Sequence, residues 1–73
     1  MSGLPRVSGR ECVRALGRAG FHLRRQKGSH MVLVRQTPFA MVVVPDHREL
    51  DTGTLRAIIR QAGLSVAEFS EVL

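Results

Sequence analysis

From residue 21 to residue 44 the chain is written as strands. Phe21-His22-Leu23-Arg24-Arg25 alternates apolar with polar, Met31-Val32-Leu33-Val34 is a short apolar run, and Phe39 to Val44 is apolar throughout. Turn-forming residues at Lys27-Gly28 and Thr37-Pro38 interrupt these runs, and Pro45 ends the last. A parallel crossover needs a dozen or more residues, so connections this short admit only an antiparallel meander. A strand that is apolar at every position wants cover on both faces. With helices on one side of the sheet, the other face of 39–44 is surplus and a candidate contact for another chain.

Helix starts flank the meander. Ser8-Gly9-Arg10-Glu11 and Ser65-Val66-Ala67-Glu68 have capping-box spacing, with Val7 and Cys12, then Leu64 and Phe69, placed as hydrophobic staples. Asp51 is placed to cap a third helix, and Gly20 and Gly63 suit the stops of the helices that begin after Ser8 and Asp51. In the first helix Cys12, Val13, Ala15, Leu16 and Ala19 fill one side, while Arg10, Arg14 and Arg18 recur at i, i+4 and i+8 on the other. The order expected is α-β-β-β-α followed by a short α. No repeat or linker divides it, so residues 1–73 are read as one α+β domain.

At 73 residues the core is small; chains of this size rarely gain more than about 3–5 kcal/mol from it, and stability drawn from a partner is plausible. No apolar run approaches a membrane span, and the N-terminus lacks the apolar centre of a signal peptide. A single cysteine, Cys12, excludes an internal disulfide and is expected as a small buried hydrophobe. The cytoplasm is the expected compartment. Gly28-Ser29-His30-Met31 also matches the scar left by removal of a common affinity tag. Scars lie at the N-terminus, whereas this one follows Met1 and a helix, so it is read as native.

Charge is unevenly spread. Residues 1–35 carry eight Arg and Lys against Glu11 alone, and residues 36–73 carry three against five acids, which places a net +7 in the first half and −2 in the second. A one-sided basic field attracts polyanions, and nucleic acid is the commonest large one.

The chain has no His/Cys spacing for zinc, only scattered acids, no phosphate-cradling glycine loop, and three Phe without Tyr or Trp. Neither a metal nor a cofactor is expected. Chemistry on nucleic acid would then fall to histidine. His22 reads as a surface residue. His47 follows Asp46 in a loop, where a neighbouring carboxylate can orient an imidazole. His30 begins a strand just past Gly28-Ser29, with Arg24, Arg25 and Lys27 in reach across the hairpin. A histidine titrating near 6.5 can remove the 2′-hydroxyl proton of RNA, and guanidinium groups can hold the charge that grows on the phosphate. A hydrogen-bonded strand histidine is the alternative that the spacing leaves open.

Gly20-Phe21, Arg25-Gln26-Lys27-Gly28-Ser29-His30, Val44-Pro45-x-His47, Gly53-Thr54-Leu55-Arg56-x-Ile58-Ile59-x-Gln61-Ala62-Gly63-Leu64 and Glu68-Phe69 together resemble the HicA toxins of bacterial toxin–antitoxin pairs. The resemblance implies a fold like a double-stranded RNA-binding domain, a three-stranded antiparallel sheet with helices packed on one face. It implies metal-independent cleavage of mRNA by a type II toxin, with the histidine of the Gly-Ser-His turn, here His30, as catalytic base. His47 then becomes a second proton-transfer candidate, donating to the leaving 5′-oxygen. Arg24, Arg25, Lys27 and Ser29, with Arg10, Arg14 and Arg18 of the first helix, become the expected RNA contacts. A HicB antitoxin is the implied protein partner, and its docking would account for the surplus apolar surface. Asp51-Thr52 and Met31 depart from the family, whose members often carry basic and polar residues there. A non-catalytic RNA-binding module of the same fold is the competing reading.

Overall fold

The computed structural model describes residues 4–73. Its elements are α1 (Gly9–Arg18), β1 (His22–Lys27), β2 (His30–Gln36), β3 (Phe39–Pro45), α2 (Thr52–Gln61) and α3 (Val66–Val72), the expected order. Each helix begins at the residue its sequence marks. The Ser8 hydroxyl accepts from the Glu11 amide at 3.0 Å and the Glu11 carboxylate accepts from the Ser8 amide at 2.8 Å. Ser65 and Glu68 repeat the box at 3.0 and 2.8 Å, and Asp51 accepts from the Thr54 amide at 2.8 Å. These bonds satisfy amides that the first helical turn leaves without partners.

The strands pair antiparallel in the order β1-β2-β3. Side chains alternate between faces. Met31 and Leu33 of β2 and Val42 and Val44 of β3 enter the core with Cys12, Ala15 and Leu16 of α1, Leu55, Ile58 and Ile59 of α2, and Phe69 of α3. All three helices therefore cover one face, and no polar side chain is buried among the described residues. Cys12 lies wholly inside, next to a buried Val7, as the staple requires. The other face carries His30, Val32, Val34 and Gln36, opposite Pro45, Val43, Met41 and Phe39. Val34 is buried there too, outside the helix-side core and flanked across the strands by His22 and Met41.

The strands run past their expected ends. β1 reaches Lys27 and β2 starts at His30, leaving Gly28 and Ser29 alone as the loop. Phe21 belongs to the α1 exit rather than to β1: its amide donates to Leu16 O at 3.0 Å and its ring is buried. A bulge at Arg24 breaks the plain alternation of β1, because Leu23 pairs with Leu33 while Arg25 pairs with Val32. The extra residue turns Leu23 toward the helix side and brings His22 onto the same face as Arg25, Lys27 and His30.

Candidate active site

The hairpin that presents His30 is pinned from two directions. Gly28 has φ of 57°, while Ser29 keeps a negative φ, the glycine-first pattern of a type II′ hairpin loop. A Cβ there would meet nothing within 4 Å, so conformation rather than space selects glycine. The Gln26 amide donates to Gly28 O at 3.1 Å and to Asp46 Oδ2 at 3.3 Å. The Asp46 amide in turn donates to Ser29 O at 2.6 Å. Arg10 closes on the same carboxylate through Nε at 3.1 Å and Nη2 at 3.2 Å. The Arg10 guanidinium holds the Asp46 carboxyl below its usual range, assisted by Gln26 and His47, and Asp46 raises Arg10 in return.

Asp46 is thus the joint between the hairpin turn, the end of β3 and the start of α1. Gly9 completes it. Its amide donates to His47 O at 2.8 Å, and a Cβ at Gly9 would sit 1.9 Å from Pro45 O. Only a residue without a side chain lets α1 lie this close to the β3 exit. Neither role is visible in the sequence, where Gly9 reads as an ordinary interior position of a capping box. Asp46 is marked there only as a neighbour of His47.

His30 stands on the helix-free face between its register partners Lys27 and Pro45. The residue is exposed, and among the described residues its imidazole makes no hydrogen bond or ion pair. That differs from a hydrogen-bonded strand histidine and leaves both ring nitrogens open to a ligand. Lys27 pairs with His30 directly and Arg25 shares this face one rung further along, while Arg24, the bulge residue, is exposed beside them. Ser29 closes the loop through its carbonyl. His47 is exposed and follows Asp46 at the same end of the sheet as the Gly28-Ser29 loop.

The α1 stripe is exposed as expected but is not an unoccupied row of cations. Arg10 holds Asp46, and Arg18 donates to Val72 O at 2.8 Å at the end of α3. Arg14 has no such partner among the described residues. The stripe lies on the helical side of the sheet, with only its Arg10 end near the hairpin. Two shallow clefts, one beside Arg14 and Arg18 and one beside Arg56 and Arg60, do not include His30. The surface around His30 is an open sheet face, which suits a polymer better than a small molecule.

Residues 9–64 match the family model described as HicA toxin of bacterial toxin–antitoxin. The chain belongs to the HicA toxin family. The match takes in α1, the whole meander, α2 and the His30 hairpin, and stops before α3. No curated protein matches the chain. Membership makes this HicA protein the toxin component of a toxin–antitoxin module, with an antitoxin as counterpart. No helix among its described residues is long and apolar enough to cross a membrane.

Proposed function

We propose that this HicA protein blocks translation as a metal-independent endoribonuclease of mRNA, with His30 as general base. The observation that carries the reading is the placement of His30: exposed, without a partner among the described residues, and beside Arg25 and Lys27 on a face no helix covers. The imidazole takes the proton of a 2′-hydroxyl, and the 2′-oxygen attacks the adjacent phosphorus. The bond to the 5′-oxygen breaks, leaving a 2′,3′-cyclic phosphate, and the 5′-oxygen receives a proton from His47 or from water. Arg25 and Lys27 hold the charge that develops on the phosphate, and Arg24 adds to the local field. Arg14, Arg10 and Arg18 contribute long-range attraction, weakened at Arg10, whose charge Asp46 offsets. The protein partner is a HicB-type antitoxin, and the site of action is the cytoplasm.

The test is cleavage of a defined single-stranded mRNA in EDTA by the wild type and by His30→Ala, both checked by circular dichroism. The variant is expected to fold and to cut about 10²–10⁴-fold more slowly. Equal cleavage by the variant removes His30 from the mechanism. If neither folded protein yields products while both bind RNA, the non-catalytic module is the correct reading, with binding that weakens by about 0.7 in log–log salt slope for each phosphate contact.

A further inference from the structure

Rung by rung, the helix-free face runs from cationic at one edge to apolar at the other. Lys27, His30 and Pro45 form one rung, Arg25, Val32 and Val43 the next, then His22, Val34 and Met41, and finally Gln36 with Phe39. Every β1 member is a cation or a histidine. On β3, Phe39, Met41 and Val43 are 68%, 51% and 44% exposed, and Phe39 and Met41 are the most accessible large apolar side chains among the described residues. The two edges lie about 10 Å apart and the rungs about 7 Å apart. His30 sits on the central strand in the first rung, and Phe39 lies about 20 Å along the sheet from it.

A single RNA strand has the same cross-section, with phosphate on one side and base faces on the other. If His30 meets the scissile phosphate, as the proposed function requires, the nucleotides flanking it must cross this face. We propose that the face is a single-strand platform: phosphates follow Lys27 and Arg25, and successive bases rest on Val43, Met41 and Phe39. Phe39 supplies the outermost stacking surface. The inference rests on the His30 reading and adds to it where the flanking nucleotides lie and what holds their bases, which must be unpaired because bases held inside a helix cannot reach the β3 edge.

The test uses the whole chain in the His30→Ala background, so that substrate survives, with a labelled single-stranded RNA of about 12 nucleotides as probe. Phe39→Ser and Met41→Ser each weaken binding about tenfold while leaving the salt slope unchanged. Arg25→Ala and Lys27→Ala each lower that slope by about 0.7. The same sequence as a duplex binds the parent more weakly than the single strand. If Phe39→Ser and Met41→Ser bind like the parent while Lys27→Ala is impaired, the platform is overturned and the apolar edge belongs to a protein partner. Duplex binding as tight as single-strand binding also overturns it. Failure of the two readings is distinguishable: a wild type that binds RNA through Phe39 without cutting it loses only the catalysis, whereas one that cuts but ignores Phe39 loses only the platform.

Discussion

Cys12 and two glycines show how far a single position can be governed by its surroundings. Burial pushes the Cys12 thiol up to about 12, so almost no thiolate exists at neutral pH. Iodoacetamide at pH 8 is expected to leave the folded protein unmodified and to label it fully in denaturant, read by mass. Gly9 and Gly17 stand in the same helix with opposite demands. A methyl at Gly9 collides with Pro45 O, whereas one at Gly17 meets nothing within 4 Å. Gly9→Ala should cost about 3 kcal/mol by forcing α1 off the β3 exit. Gly17→Ala should gain about 0.5–1 kcal/mol from helix propensity. Urea denaturation of both variants checks the pair, and equal effects would mean the Gly9 contact is not tight.

At the level of elements, helix caps and the hairpin loop carry separable consequences. The Glu11 and Asp51 carboxyls are held below their usual ranges chiefly by the backbone amides that donate to them, that of Ser8 for Glu11 and that of Thr54 for Asp51. Asp51→Ala removes the α2 cap and should cost about 1 kcal/mol. An acid at this position is committed to starting the helix. In the hairpin, replacing Gly28 by Ala asks an L-residue to hold φ of 57°, at a cost of about 1–2 kcal/mol. Because Lys27 and His30 are paired directly across this loop, RNA cleavage should fall further than the stability loss alone accounts for. Cleavage measured well below the melting temperature separates the two.

Across the whole molecule, Asp46 links the turn, the sheet and α1. Its carboxyl is lowered in the folded protein, as are those of Glu11 and Asp51. A lowered folded value means that stability is present above the unfolded values, 3.8 for Asp and 4.5 for Glu, and is lost as pH falls through the folded ones. Melting temperature is therefore expected to hold above about pH 5 and to drop below pH 4, with a shallower drop in Asp46→Asn. An Asp46→Asn curve parallel to that of the wild type would show that the joint contributes nothing to acid sensitivity. The helix-free face adds a second property of the whole: apolar β3 side chains are left open along one edge of the sheet and the basic ones of β1 along the other.

Local rules written along the chain determined the element order. Capping boxes, glycine stops and two short turns leave few alternatives, and the staple pair Val7 and Cys12 is buried as its spacing requires. The motif around Gly28-Ser29-His30 made the family legible, and the apolar run of β3 announced its uncovered face. Tertiary structure decided the rest. That His22 rather than Leu23 joins Arg25 and Lys27 on the face of His30 depends on the Arg24 bulge, and strand pairing sets such a register over a longer range than local alternation reaches. The same holds for Arg10 and Arg18, which periodicity shows only as a stripe facing water and which packing engages with Asp46 and Val72. Arg35, a strand cation in sequence, lies 4.8 Å over the Phe21 ring and donates to Pro38 O and Ala62 O. Apart from the local bond to Pro38 O, these side-chain pairings join residues distant in sequence, which become neighbours only when the helices close over the sheet.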